Sequence, residues 1–280
     1  SSDLVNDAPV LGTPANFASI SEDATNNAGQ TVSSLLGSAM TDADSGAVQG
    51  VAITGATNGG ATGGWQYSTD GGSTWQSLGT PSATTALLLK SNDRVRFNPD
   101  GFKGGTPTLS LRGWDQTSGT ATSGATRGEA DVSTNGGINA FSSSEYTLSA
   151  NVTNVNDAPQ FTTGASAGAF TENAGAVNVG SGLVIADDGG QLSRATVAIS
   201  SGFTAGDTLA VGTAGGLTVS YSSQTGVLTL SGTASVATYQ AALNSITFNT
   251  ASEDPTVNSA TRTLTWKATD TADRKSTRLN

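Results

Sequence analysis

The segment Val-Asn-Asp-Ala-Pro occupies residues 5–9 and returns at residues 155–159, 150 positions later. A short acidic, proline-ended segment recurring at domain-sized spacing predicts two tandem units joined by linkers rather than one large core. The segment itself is expected to be extended, because Pro159 keeps Ala158 out of the helical region and two β-branched valines precede it. Asn156 and Asp157 thus bring side-chain oxygens to the place where two domains would meet. Oxygen is the ligand that a hard cation such as calcium prefers.

A length of 280 residues agrees with about two domains. Hydrophobic residues make up 35% of the chain and charged residues only 12%, enough for thin β-sandwich cores. Gly, Thr, Ser, Val and Asn dominate, which suits short strands and many turns. Twelve basic residues stand against 22 acidic ones, a net charge of −10. That balance argues against nucleic acid or an anionic membrane surface as a partner. Cysteine and histidine are both absent, which removes disulfides, the common catalytic triads and the usual zinc sites. No apolar run reaches the roughly 18 residues of a membrane helix, so no membrane insertion is expected. Pairs of carboxylates remain open to a glycosidase reading, but nothing places two of them across a cleft.

Asn-Asp-Ala-Pro at 156–159 is followed by Phe161, by Thr171-Glu172-Asn173-Ala174-Gly175 and by Ala186-Asp187-Asp188-Gly189. This order resembles the cadherin pattern of an Asp-x-Asn-Asp-x-x-Pro linker, an early Glu-Asn and an Ala-x-Asp after the second strand. The low-charge, Gly/Thr/Ser-rich version is similar to the cadherin-like tandem repeats of giant bacterial surface adhesins, including the repeats-in-toxin type, over most of residues 5–272. The resemblance implies an all-β chain of two tandem cadherin-like (immunoglobulin-like) β-sandwich domains end to end. Residues 1–9 would be a linker from a preceding domain, with the sandwiches at 10–154 and 155–272.

It also implies calcium (Ca2+) as cofactor. Glu22, Asn156, Asp157, Asp187 and Asp270 would converge on it, with Asp188 standing in for a missing second acid. An equivalent upstream half-site would use Asn6, Asp7, Asp42, Asp44 and Asp115. Asn154 stands where cadherins have Asp, and Asp100 and Asp254 stand in for an absent Asp-Arg-Glu segment. The alternative is that these Asx residues only build turns. Carboxylates about 4 Å apart repel by roughly 4 kcal/mol at an effective dielectric near 20, which a shared cation would convert into cohesion. The implied protein is a secreted or cell-surface bacterial adhesin, and the implied role is a calcium-stiffened extender holding a distal binding domain away from the cell. Its partners would be neighbouring repeats and glycans or cell surfaces, and the chain would be a monomer.

Along residues 10–154 strands are expected at 32–40, 51–53, 64–68, 87–89, 95–97, 109–114 and 146–152, with the Gly/Ser/Thr-rich residues 116–144 as an insertion. Along 160–272 they are expected at 177–185, 195–199, 208–211, 217–221, 227–230, 246–248 and 264–268, with one helix over 235–243 capped by Thr233 or Ser235. Ser68-Thr69-Asp70-Gly71-Gly72-Ser73-Thr74-Trp75 matches the Asp-box of sialidase-like propellers, which in that family is a structural hairpin. Trp65, Tyr67 and Trp75 are candidates for a sugar-stacking platform, which would make the first domain a carbohydrate-binding module; as core residues they would favour the extender. Residues 273–280 hold three of the 12 basic residues and are expected to be a non-native tail resembling a translated sequencing adapter. The chain is expected to be an internal slice of a longer protein.

Overall fold

The computed structural model describes residues 5–173, 175–272 and 274–279, the last five by backbone alone. Residues 1–4 of the expected linker, and Asp273 and Asn280 of the expected tail, lie outside the described residues. The protein is all-β, and its chain divides into two compact units, Ser1–Val155 and Asn156–Asn280.

Unit 1 carries a five-stranded sheet in the order Glu129–Ala130, Ala86–Lys90, Gly50–Thr57, Thr108–Trp114, Phe141–Ser149. A second sheet runs Gln30–Thr31, Arg94–Pro99, Gly63–Ser68, Gln76–Ser77. Val51, Ile53, Leu87, Leu89, Leu109 and Leu111 of the first sheet meet Trp65, Tyr67, Val95 and Phe97 of the second in one core, a sandwich-like arrangement. Alternation along each strand produces it, since every second side chain points inward.

The run Leu87-Leu88-Leu89 breaks that alternation for a physical reason. Leu87 and Leu89 join the main core, whereas Leu88 faces the other way into a smaller core with Trp114, Val132, Ala140 and Phe141. Val132 and Ala140 belong to the long insertion, which therefore lies as a third layer over the outer face of the sheet. It is fastened by Arg127, whose Nη1 donates to Leu78 O at 3.0 Å, and by the Tyr67 hydroxyl, which donates to Gly124 O at 3.2 Å.

Residues 32–40 are not the expected strand. A short α-helix spans Val32–Leu36, because Val32, Leu35 and Leu36 recur at helical spacing and all are buried. Thr31 caps it by accepting a hydrogen bond from Ser34 N at 3.1 Å, and Gly37 ends it at φ +52°. The terminal segments of the unit are joined in parallel, Ile20–Ser21 beside Val152–Thr153.

Unit 2 repeats the plan with fewer strands. A five-stranded sheet, Thr218–Ser222, Val227–Ser235, Gln191–Ser201, Thr263–Asp270, Lys275–Leu279, faces a three-stranded one, Val177–Asn178, Ile246–Thr250, Asp207–Val211. Val197, Leu230 and Trp266 pack against Leu209, Ile246 and Phe248 between them. The helix Val236–Asn244 forms near its expected position, with Ser235 as cap accepting from Thr238 N at 3.1 Å. The expected strand over 177–185 is two short strands, Val177–Asn178 and Val184–Ala186. Between them Gly182 takes φ +83°, and Gly180 lies so close under Leu243 O that a Cβ there would fall 1.9 Å from it.

A buried ion pair fastens the loop that precedes Thr263–Asp270. Arg262 Nε donates to Asp207 Oδ2 at 2.7 Å and its Nη2 to Oδ1 at 3.2 Å. The same guanidinium donates to Ser259 O and Pro255 O, so one side chain holds both ends of that loop.

Candidate functional site

In unit 2 five predicted residues lie together where the chain enters the unit. Asn156 Nδ2 donates to Asp270 Oδ2 at 2.7 Å, and the Asp157 amide donates to Asp188 Oδ1 at 3.1 Å. Asp270 ends its strand almost wholly buried, and its other oxygen accepts from Arg274 N at 2.8 Å. Asp187 completes the group. Both of its carboxylate oxygens are shut off from solvent without a hydrogen bond. A Cβ placed on Gly189 would come 3.4 Å from Asp187 Oδ2 and 3.8 Å from Asn156 Oδ1, so these oxygens border one small space that glycine leaves open.

Unit 1 repeats the arrangement. Asn6 Nδ2 donates to Asp115 Oδ2 at 3.0 Å, and the Asp7 amide donates to Asp44 Oδ2 at 2.9 Å. Asp42 accepts from Asp44 N through Oδ1, while its Oδ2 is sequestered without a partner. Asp115, 2% exposed, holds the Thr117 amide and hydroxyl at 2.8 and 2.6 Å. The five positions correspond one to one, Asn6 with Asn156, Asp7 with Asp157, Asp42 with Asp187, Asp44 with Asp188 and Asp115 with Asp270. Asp188 thus takes the role of Asp44 although it sits one residue, not two, beyond its partner acid.

Burial pushes the Asp187 carboxyl above its ordinary range, and the charges of Asp188 and Asp270 push it further. The amides of Gly189 and Gly190 oppose the shift without completing a hydrogen bond. A raised folded-state pKa means that the folded chain holds this proton more tightly than the unfolded one does. Without added cation, unit 2 should therefore lose stability as pH rises from the ordinary value of 3.8 through the raised one, and keep it below 3.8. Melting curves in chelator at stepped pH should show this slope in the wild type and not in Asp187→Asn. Equal slopes would mean that Asp187 carries no such strain.

The other predicted residues have partners within their own units. Glu22 is fully buried inside unit 1, where Oε1 accepts from Val155 N at 2.6 Å and its own amide donates to Thr153 O. Asn154 accepts from Gly104 N, Asp100 holds Thr62 Oγ1 and Phe102 N, and Asp254 holds Thr256, so Asp100 and Asp254 shape local turns. Trp65 and Tyr67 are 5% and 1% exposed, with the Trp65 ring against Phe17 and Phe97. Neither offers a face to a sugar, and Trp75 is half-covered by Arg96, 4.0 Å above its ring. Of the two readings of these rings, core placement is the one seen for Trp65 and Tyr67, because the alternation of their strand turns both inward.

The Asp-box is a tight hairpin. Asp70 accepts from Thr74 N, Thr74 Oγ1 and Ser68 Oγ at 2.9, 2.6 and 2.7 Å, which holds its carboxyl well below the usual carboxylate range. Gly71 and Gly72 supply the positive φ angles of the turn.

Among the described residues, no group of three or more Asp or Glu side chains is gathered tightly enough to enclose a metal ion by itself. The donor set of each cluster is mixed, two acids from one turn, one from a strand end, and an Asn and an Asp from the entering segment. Mixed carboxylate, amide and carbonyl oxygens are the ligands of a flexible calcium site. No family model matches the chain, and no curated protein matches it either.

Proposed function

We propose that this chain is a pair of cadherin-like extender repeats of a secreted bacterial surface adhesin, stiffened by calcium at the end where the chain enters each unit. One observation carries the reading. The same five oxygen-bearing residues recur in the same arrangement in both units, and each copy leaves carboxylate oxygens at the matching position, Asp42 or Asp187, buried without a partner. A turn needs no such oxygen, and burying one uncompensated costs stability. A cation with flexible coordination supplies the missing compensation. The residues that would hold it are Asp42, Asp44, Asp115, Asn6 and Asp7 in unit 1, and Asp187, Asp188, Asp270, Asn156 and Asp157 in unit 2.

Holding Asn6-Asp7 and Asn156-Asp157 against the acids of their own unit fixes the linker as well as the loops. A fixed linker makes a spacer. The absence of cysteine leaves this as the staple for a chain outside the cell.

Thermal melts in millimolar calcium and in chelator, with small-angle scattering on the same samples, test the reading. At about 10 mM calcium and a Kd of about 10⁻⁴ to 10⁻³ M, each site should add about 1.4–2.7 kcal/mol. Asp187→Asn should remove the calcium response of unit 2 and Asp42→Asn that of unit 1. The sign is diagnostic: each substitution should stabilise the chelated protein, by relieving an orphaned charge, and destabilise the calcium-loaded one. A melt and a particle length indifferent to calcium would reduce these acids to turn residues.

A further inference from the structure

Unit 2 has one sheet edge that carries no guard. Thr218–Ser222 is the outermost strand of the five-stranded sheet, bonded to Val227–Ser235 on one side only. It lies in the middle of the unit's sequence, between Asp207–Val211 and Val227–Ser235. An edge strand offers another chain a row of unpaired N–H and C=O groups, and proteins guard such edges with charge, proline, a bulge or brevity.

Among the described residues every other outermost strand has such a guard. Phe141–Ser149 carries Glu145, Asp207–Val211 opens on Asp207, and Lys275–Leu279 carries Lys275 and Arg278. Gln160–Thr163 is broken by a register shift between Phe161 and Thr163. The rest are two or three residues long. Thr218–Ser222 is five residues long, without charge or proline, and its register runs unbroken.

The surroundings of this edge favour a second copy of the chain. Residues 208–252 are the longest run without a charged side chain in a protein of net charge −10. The strands against the edge, Val227–Ser235 and Asp207–Val211, add only Asp207, whose charge Arg262 meets. Two copies approaching along this edge therefore escape the repulsion that their net charge imposes elsewhere.

The strand is also complementary to itself. Val219 and Tyr221 pair with Leu230 and Leu228, two core residues, and so lie on the core face. Val219 is nevertheless 38% exposed, because no strand lies beyond it. In an antiparallel pair centred on Ser220, Val219 of each copy falls opposite Tyr221 of the other, a β-branched and aromatic pair of the kind that stabilises sheets. Thr218 falls opposite Ser222 on the outer face, hydroxyl beside hydroxyl.

We infer that two copies of this chain associate edge to edge through Thr218–Ser222, antiparallel about a twofold axis at Ser220, so that their five-stranded sheets become one continuous sheet. A twofold contact of this kind is closed, so it stops at pairs and does not grow into fibres. A five-residue strand buries less than a standard interface, so the pair is weak and fills only at high local concentration. The monomer expected from the sequence is the dilute form.

Sedimentation of the full chain from micromolar to millimolar concentration is read together with hydrogen exchange at the amides of residues 218–222. Both are run in calcium and in chelator, so that the result stands apart from the cation reading. Association is expected to grow with concentration in both conditions, with protection of the outward amides of this strand growing alongside it. Ser220 is exposed, so Ser220→Lys and Ser220→Glu should each leave the melting temperature unchanged. Each should weaken association several-fold, since like charges then face each other at the axis. An equimolar mixture of the two should restore it, because a lysine-bearing copy then meets a glutamate-bearing one. No association at millimolar concentration, association untouched by either substitution, or a mixture no stronger than its components would overturn the inference. Protection already complete in dilute solution would overturn it too, by placing the strand's partner within its own chain.

Discussion

Arg262→Leu is expected to cost unit 2 about 3–5 kcal/mol, the range for breaking a buried ion pair from one side. The Asp207 side chain is fully buried and that of Arg262 nearly so, so the charge left behind cannot turn to water. The substitution also frees the carbonyls of Pro255 and Ser259, and with them the loop that precedes Thr263–Asp270. Asp207 would retain the Thr204 amide, which donates to its Oδ2 at 2.9 Å, too little to offset a buried charge. The double variant Asp207→Asn/Arg262→Leu should recover much of the loss, because asparagine keeps the Thr204 bond and buries no charge. Urea unfolding followed at Trp266, the buried tryptophan of this unit, reads both. A single variant within about 1 kcal/mol of wild type, as expected for an exposed pair, would show that the pair is solvated in practice.

The second large effect is expected in unit 1. Trp114→Ala should cost about 3–5 kcal/mol, the range for truncating a buried aromatic. The consequence should also be local. Trp114 is the largest member of the small outer core, and its indole N–H donates to Ser118 O at 2.7 Å at the start of the insertion. Without it the third layer loses both its floor and its first tether, while the main core between the sheets keeps Trp65, Tyr67 and Phe97. Hydrogen exchange should rise across residues 116–140 before it rises at Val51 or Leu109. Uniform loss of protection over the whole unit would mean that the layer and the sandwich unfold as one body.

Much of this architecture is legible in the chain. Strands such as Thr108–Trp114 and Gln191–Ser201 show period-two alternation because one face meets a core and the other water. The Asn-Asp pairs of the two clusters are legible through their repeat at 150 residues, and their turn and strand-end acids through the order of the motifs that follow. What escaped the sequence was set by distant partners. Leu88 reads as part of an apolar run until Val132 is known to cover it. The Val32–Leu36 helix is too short for periodicity to separate from a strand, and it forms because Thr31 and Gly37 bracket it. Asp207 and Arg262 lie 55 residues apart with no local motif between them. That Asp188 can stand in for Asp44 is readable from the sequence; what the structure adds is that both accept from the amide of the entering Asp, Asp157 or Asp7.

The parallel seam of unit 1 has a mechanical meaning. The segment near Ile20 leads back towards Pro9, and the segment near Val152 leads on towards Asn154. A pull applied to those two points drags the paired strands past each other along their length. The bonds from Phe17, Ile20 and Glu22 to Ser149, Asn151 and Thr153 are then loaded in shear, all at once, whereas an antiparallel hairpin pulled from its open end unzips bond by bond. Unit 1 thus resists tension at its own two ends through a clamp that costs no extra residues.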